Sequence, residues 1–301
     1  MIQDLSRFVG EELAGPVPDI AEPILQRLRA DFPRARAILF YGSSLRTGDR
    51  DGLMDFYVLT DVSPGMASRL LWPDVSYLEA QDGTGVLRAK VATMTLDRFG
   101  CAAVGKGLDT TIWTRFVQPA RLVWSADAEV KAVVCRAIAG ACITAAGYAA
   151  ALGPADGSPL SFWEALFRQT YAAELRVESA ARGGSILGHA PARWDALLPL
   201  AWGAAGLEFK ADGESLAPGL SPAERERRRW AWSLRRAFGR PLNAARLVKA
   251  AFTFEGAARY AAWKIERHTG VSVPLTPWRE RHPVLAAPGV LWRLWRAKRP
   301  N

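Results

Sequence analysis

Four short apolar runs in the first third of the chain constrain its fold more than any other feature. Each has the length of a strand and is bounded by Gly, Pro, Asp or other polar residues; the runs are 37–41, 54–60, 75–80 and 86–95. Gln81-Asp82-Gly83 is a turn signal, so the last two runs are expected to be adjacent strands. From about residue 127 onward, Ala-rich helical patterns dominate. The sequence therefore predicts an α+β protein, with a small N-terminal sheet followed by helices.

Several boundaries of the helical part are readable. Ser161 and Glu164 have the spacing of a capping box, and Gly183-Gly184 is a stop signal. The predicted helices are 17–32, 161–182, one short helix within 183–222, 222–238, and 243–268 with Asn243 as its N-cap. The uncharged run Ala137–Pro154 is either a buried core helix or a membrane span. Its small side chains favour the buried helix.

The charge of the chain is unevenly distributed. Residues 221–301 contain 18 Lys and Arg against 5 Asp and Glu, a balance of +13, whereas residues 1–220 carry −4. Clustered bases indicate an anionic partner, either nucleic acid or a membrane surface, and composition does not decide between them.

Cysteine usage and the N-terminus indicate a reducing compartment. The three cysteines, Cys101, Cys135 and Cys142, lack CxxC spacing and are far in sequence from the three histidines, so neither a disulfide framework nor a zinc site is expected. The first residues, MIQDLSRFVGEEL, contain acids where a signal peptide needs a basic start, and secretion is not expected.

The segment with the clearest chemistry joins the first two strands. The first strand ends at Gly42-Ser43-Ser44, and Asp55 follows after ten residues, on the second strand. A Gly-Ser turn offers backbone N–H groups and hydroxyls to the oxygens of a triphosphate, and a carboxylate on the next strand can hold Mg²⁺ against the same phosphates. This arrangement resembles the nucleotidyltransferase fold of the polymerase beta type. The alternative is an ordinary loop-edge carboxylate.

A second carboxylate is missing from this motif. Tyr57 occupies the position two after Asp55, and Asp61 is about 20 Å further along an extended strand. A second metal ligand must therefore come from another segment, with Glu79 and Asp74 as candidates, or from phosphates and water.

Further motifs, in their order along residues 37–185, resemble the mitochondrial-type phosphatidate cytidylyltransferases, also called translocator assembly and maintenance proteins. Tyr41-Gly-Ser-Ser is similar to that family's Tyr-Gly-Ser-Gly, and Met54-Asp-Phe-Tyr-Val-Leu to its Asp-Phe strand. Residues 87–91 resemble the family's Lys-Tyr-Gly-Val strand. Residues 115–119 resemble its Gly-Arg-x-x-Lys-Pro segment, and residues 170–176 resemble its Ser-Tyr-x-Gly-Asp-x-Arg helix. Ser44 and Glu174 depart from the family's Gly and Asp, and its Trp-His segment is absent.

The resemblance and the residue chemistry together give candidate roles. Asp55 is the expected ligand of Mg²⁺, and Lys90 would neutralise departing pyrophosphate. The expected nucleotide and phosphate-binding residues are Gly42, Ser43, Ser44, Lys90, Glu174 and Arg176. For Lys90, the alternative is a solvated lysine on an edge strand. For Glu174 and Arg176, it is a solvated helical face.

The C-terminal end predicts a basic amphipathic helix. In 290–299, a helical wheel places an apolar arc opposite Arg293 and Arg296. Trp292 and Trp295 lie on that arc, and Trp with Arg suits the headgroup layer of an anionic bilayer. The alternative is a terminal helix packed on the protein. The mixed-charge run 224–229 is interpreted as a solvated helix face.

We expect three regions. Residues 1–126 form a nucleotidyltransferase-like domain, and residues 127–221 form a helical domain, with a winged-helix-like fold as one option, that completes the nucleotide cleft. Residues 222–301 form a basic helical region with a membrane-binding tail. The resemblance implies transfer of CMP from CTP to phosphatidic acid, giving CDP-diacylglycerol and pyrophosphate at the inner, cytoplasmic face of a membrane. Nucleic acid is disfavoured, and no obligate protein partner is inferred. The alternatives are a nucleotidyltransferase acting on RNA, protein or a small molecule, and an inactive binding protein of the same fold.

Overall fold

The protein is described from a computed structural model, which covers residues 1–50, 52–63, 68, 71–173, 186–254, 256–281, 285–286 and 289. It is an α+β protein, 58% helical and 19% strand, with a five-stranded mixed sheet, as the sequence predicted. The strands are β1 (Ala35–Tyr41), β2 (Leu53–Thr60), β3 (Asp74–Gln81), β4 (Val86–Thr95), β5 (Ala120–Ser125), β6 (Phe209–Asp212) and β7 (Ser215–Pro218).

The helices surround this sheet on both faces. They are α1 (Ile2–Leu13), α2 (Glu22–Asp31), α3 (Ser43–Thr47), α4 (Leu96–Ala103), α5 (Thr111–Phe116), α6 (Ala128–Leu152), α7 (Pro159–Ala173), α8 (Pro191–Ala204), α9 (Pro222–Thr253), α10 (Ala257–Thr269) and α11 (Pro277–Arg281). A short 3₁₀ helix, Asp19–Ala21, precedes α2.

The strand order of the large sheet is β3-β4-β2-β1-β5. β2 pairs antiparallel with β1 and parallel with β4, while β3 and β5 add antiparallel strands at the two edges. The two faces belong to separate hydrophobic clusters. α2 covers one face, where Phe40 and Phe56 stack with ring centroids 4.7 Å apart. The other face packs under α1 and α4–α9 in a larger cluster that contains residues of all three predicted regions, from Leu5 to Trp232.

The four predicted strands are confirmed, each within two residues of the expected bounds. The hairpin between β3 and β4 turns at 82–85, where the Asp82 carboxylate accepts hydrogen bonds from the backbone N–H groups of Thr84 and Gly85. β5, α1 and the small β6–β7 hairpin were not predicted.

α6 contains the uncharged run and packs against α1, α4, α5 and α7–α9. Its most apolar window has a mean hydropathy of 1.5, sufficient in length and composition to cross a membrane, yet 56% of that window is buried inside the protein. A core helix must pack against the rest of the protein in this way, so the packing of α6 agrees with the interpretation of 137–154 as a buried core helix.

Two predicted helix starts are wrong. α7 begins at Pro159, and Ser161 lies within its first turn, where its N–H donates to the Ser158 hydroxyl. The predicted helices 222–238 and 243–268 are instead one continuous helix, α9, followed by α10, so Asn243 is internal to α9 and not an N-cap. The capping box of α9 is Ser221 with Glu224. The predicted stop at Gly183-Gly184 lies outside the described residues.

Candidate active site

The pairing of the strands aligns four side chains across one face of the sheet. Tyr41 lies opposite Asp55, Asp55 beside Lys90, and Lys90 opposite Tyr77. Residues paired in this way project to the same face, with Cβ atoms about 5 Å apart. Asp55 and Lys90 are therefore neighbours on this face, and both residues are half-buried. β4 is an interior strand, so the alternative of an edge-strand lysine is wrong.

The Gly42 turn lies directly against Asp55. Gly42 has φ 94°, a conformation that L-residues with a side chain rarely adopt. A Cβ at this position would also lie 2.8 Å from Asp55 Oδ2. Only glycine meets both constraints, and its absent side chain lets the carboxylate approach the backbone of the turn.

The two serines of the turn have different environments. Ser43 is exposed at the first position of α3. Ser44 is 1% exposed, and its hydroxyl donates to the Leu53 carbonyl at 2.9 Å. The prediction that the Ser44 side chain contacts phosphate is therefore corrected: this hydroxyl ties α3 to the start of β2, and Ser43 is the turn serine whose hydroxyl faces solvent.

Tyr57 is a core residue. It is fully buried, and its phenol oxygen accepts a hydrogen bond from Arg115 Nη1 at 3.0 Å. Burial raises the pKa of Tyr57 above its usual value, while the nearby Arg115 charge opposes that rise. The phenol is therefore neutral near pH 7, which fits the sequence interpretation that Tyr57 does not replace a carboxylate.

Arg115 was recognised in the sequence only as part of a motif. In the structure it lies on α5, with its guanidinium carbon 5.3 Å from the centroid of the Tyr41 ring and 5.8 Å from that of Tyr57. Because Tyr41 immediately precedes Gly42, Arg115 holds the end of β1 from which the turn starts. An arginine between two buried tyrosines depends on tertiary contacts, which single-sequence patterns do not reveal.

Neither candidate for a second carboxylate lies beside Asp55. Glu79 accepts a hydrogen bond from the Tyr77 phenol at 2.8 Å. It lies two strands and two residues away from Asp55 in the sheet, so the Cα atoms of Glu79 and Asp55 are about 12 Å apart. Asp74 forms an ion pair with Lys249 at 2.5 Å. Asp61 lies beyond the far end of β2, paired with Arg36. Within the described ranges, no three His, Cys, Asp or Glu side chains form a group that could hold a metal ion.

The basic C-terminal region contributes to the same face of the sheet. The Tyr260 ring of α10 lies 5.6 Å from that of Tyr77, centroid to centroid, and the Arg88 guanidinium lies 5.5 Å from the centroid of Trp263. Arg267 reaches to within 3.9 Å of Asp49, in the loop that follows the turn. α10 thus forms a wall beside the row of Tyr41, Asp55, Lys90 and Tyr77, a placement that sequence analysis missed.

Asp55 and Lys90 line neither of two cavities found among the described residues. The larger, about 500 Å³, lies past the far end of β2, between Asp61 and Asp97. The smaller, about 440 Å³, includes Leu45 and Arg46 of α3 and therefore adjoins the turn. We assign the candidate site to the turn and not to the larger cavity, because the turn combines a required glycine, a carboxylate and a lysine.

Other predicted residues lie outside the part of the chain that the structure describes. These are Glu174 and Arg176 and the tail residues Trp292, Arg293, Trp295 and Arg296.

Compared with protein-family models and with curated protein sequences, the chain gives no match. The family resemblance therefore depends on the motifs alone.

Proposed function

We propose that the protein is a Mg²⁺-dependent nucleotidyltransferase with a polymerase-beta-like fold. The observation that carries this proposal is the close approach of Asp55 to the Gly42 backbone, with Lys90 beside it on the neighbouring strand. The antiparallel pairing of β1 with β2 supports it, because this pairing brings the turn and the carboxylate to one end of the sheet.

The residues at the turn fit a magnesium ion. Mg²⁺ is commonly held by one or two carboxylates together with substrate phosphates and water, so Asp55 is sufficient from the protein side. When bound, the ion would polarise the α-phosphate of the nucleotide. Ser43 and the backbone of the turn would bind phosphate oxygens, and Lys90 would neutralise the charge that develops on pyrophosphate.

The acceptor in this proposal is phosphatidic acid and the donor is CTP, as the family resemblance implies. An oxygen of the lipid phosphate attacks the α-phosphorus in line, a new P–O bond forms, and the bond to the β-phosphate breaks. A phosphomonoester is largely ionised near pH 7, so no strong general base is required. The protein acts by positioning and charge neutralisation at the cytoplasmic face of a membrane.

Two alternatives have their own support. The bases of the C-terminal region would equally suit an RNA, protein or small-molecule acceptor. The positions of Glu79 and Asp74 away from Asp55 would suit an inactive protein that only binds nucleotide.

One experiment separates the three functions. Purified protein is incubated with Mg²⁺ and each NTP labelled at the α-phosphate, in separate reactions with phosphatidic acid in mixed micelles, with RNA, with protein and with small-molecule acceptors, and the lipid reactions are followed by lipid extraction. Label from CTP in the lipid phase supports the proposal. Label transferred only to another acceptor supports the second function, and the absence of turnover with every NTP and acceptor supports the third.

A further inference from the structure

α9 has an inner face that packs on the protein and an outer face that does not. On the inner side, Trp232 is 4% exposed, and Lys249 forms its ion pair with Asp74. On the outer side, Trp230, Phe238 and Val248 are 63%, 52% and 62% exposed, respectively. Three large apolar side chains therefore point into solvent from one helix.

These side chains belong to a continuous apolar surface. At about 100° per residue, Trp230 and Val248 have the same angular position, and Pro241 lies within about 20° of both. The distance along the helix from Trp230 to Val248 is about 27 Å. We call this surface the α9 outer face; its exposed residues are Trp230, Ala237, Phe238, Pro241, Ala244 and Val248.

Along the length of the α9 outer face, from residue 227 to residue 254, the charges of α9 are of one sign. Residues 227–254 contain eight Lys and Arg and no Asp or Glu. Arg236 and Arg240 are exposed on one flank of the apolar surface, whereas the exposed Arg227 lies in line with the surface, before Trp230, beside the exposed Glu226. The acids of α9, Glu224 and Glu226, both precede Trp230.

This combination favours an anionic lipid surface over the other occupants. A second copy of the chain bound through this face would bring the bases of residues 227–254 close together, which opposes association. Single-stranded nucleic acid is bound through stacking aromatic side chains, whereas four of the six residues of this surface are Ala, Pro or Val. An apolar stripe with arginines along one flank matches a helix lying in the headgroup layer.

We propose that the α9 outer face is a membrane-docking surface for anionic lipid, formed by the folded body and separate from the predicted tail at 290–299. α9 would lie parallel to the bilayer, with its inner face still bound to β3 through Lys249 and Asp74. The choice of phosphatidic acid as the anionic lipid rests on the proposed function; the surface itself does not.

The test uses the full-length protein and sedimentation with vesicles of phosphatidylcholine with or without phosphatidic acid. Trp230→Glu/Phe238→Glu should weaken binding to the anionic vesicles by at least about tenfold, because it removes apolar burial and adds repulsion. Ile2→Glu is the matched control: Ile2 is 66% exposed on α1, and its substitution should leave binding unchanged. Unchanged binding of the double variant, or equal loss in the control, overturns the proposal.

A charge variant and a fluorescent label distinguish loss of docking from misfolding of the double variant. Arg236→Glu/Arg240→Glu should weaken binding similarly, and Arg27→Glu, at an exposed arginine of α2, should not. In a Cys101→Ser background, an environment-sensitive dye on Phe238→Cys should shift to shorter wavelength with anionic vesicles, and a dye on Ile2→Cys should not. No shift at position 238, or a shift at both positions, contradicts docking through this face.

The vesicle-binding result does not depend on whether the protein is catalytically active. CTP affinity measured by calorimetry should be the same in wild type and Trp230→Glu/Phe238→Glu, so loss of vesicle binding alone identifies the surface. Absence of CMP transfer in the wild type would reject the proposed function while leaving the vesicle result valid. If sedimentation velocity shows a wild-type dimer that the double variant lacks, with lipid binding unchanged, the occupant is a second copy and the lipid proposal is wrong.

Discussion

At the residue scale, Asp55 is positioned by the backbone of a turn and not by a ring of metal ligands. We predict that Asp55→Asn abolishes nucleotidyl transfer and leaves the melting temperature nearly unchanged, because the carboxylate serves the metal. Asp61→Asn, at the other end of β2, is the control and should retain activity. Turnover of Asp55→Asn within about tenfold of wild type would reject Asp55 as the metal ligand.

Gly42 can be compared with a second glycine of positive φ, although the two lie in different regions: Gly42 has φ 94° and ψ −164°, whereas Gly48 is left-handed with φ 66° and ψ 13°. Gly48 has φ 66°, but a Cβ added there would meet nothing within 4 Å, whereas at Gly42 the Asp55 carboxylate would be 2.8 Å away. We predict that Gly48→Ala costs about 1–2 kcal/mol of backbone strain, and that Gly42→Ala, in a region that is essentially restricted to glycine, costs about 1–3 kcal/mol. Only Gly42→Ala should also reduce turnover by more than tenfold, because it displaces Asp55. Equal turnover in the two variants, at matched fractions of folded protein, would show that the close approach has no role in catalysis.

Tyr57→Phe tests whether the phenol belongs to the site or to the core. The substitution removes the hydrogen bond from Arg115, so we predict a loss of roughly 1–2 kcal/mol in the free energy of unfolding. Activity should stay within about tenfold of wild type, and its pH profile should not change, since burial raises the pKa of Tyr57 and keeps it neutral. A loss of turnover as large as that of Asp55→Asn would place the phenol among the reacting groups.

At the element scale, α9 and α10 connect the basic region to the sheet. Lys249 is 8% exposed in its side chain, and its ammonium donates to Asp74 and to the Leu71 carbonyl. We predict that Lys249→Met lowers the free energy of unfolding by roughly 2–3 kcal/mol, because it leaves Asp74 without its cation. The exposed pair of Arg27 with Asp31 on α2 is the control, and Arg27→Met should change it by under about 1 kcal/mol. Denaturant unfolding with equal m-values would measure both.

The continuity of α9 shows where local sequence signals are insufficient. Gly239 and Pro241 are helix breakers, and both lie within the boundary predicted between 238 and 243. The structure continues through them because tertiary contacts hold both sides: Arg235 donates to the Gly105 carbonyl, and Arg246 pairs with Asp109 at 2.6 Å. These partners are more than 100 residues away in the chain, so no window of sequence could reveal them.

The strands of the sheet, by contrast, were predictable because their sequence signals are local. β2 and β4 are central and bounded by turn residues, and their apolar patterns are long enough to set their ends. The sequence also indicated Gly42, Asp55 and Lys90 as candidates, but not that Lys90 adjoins Asp55 in register, because strand order depends on long-range pairing. The burial of Ser44 was likewise invisible, since it results from contact with Leu53.

At the scale of the whole molecule, the charge asymmetry is partly neutralised within the fold. Lys249, Arg246 and Arg267 of the basic region pair with Asp74, Asp109 and Asp49 of the acidic body. These bases are therefore engaged in holding the two regions together. Arg227 and Arg236 of α9 and Lys264 of α10 are exposed and take no part in these three pairs. The α9 outer face and the predicted tail can be tested separately.

The last prediction concerns the tail. Deleting residues 287–301 should weaken sedimentation with anionic vesicles and leave CTP affinity unchanged. The deletion removes the apolar burial of Trp292 and Trp295, and it removes four tail bases, each of which adds on the order of 1 kcal/mol near an anionic surface. The residual binding should require the α9 outer face, so adding Trp230→Glu/Phe238→Glu to the truncation should remove most of it. In the intact chain, added salt should weaken binding without eliminating it, since the apolar part is not screened. If the truncated protein sediments as fully as the intact chain and its activity on lipid in vesicles is undiminished, the tail is only a packed terminal helix, and the membrane contact belongs to the folded body.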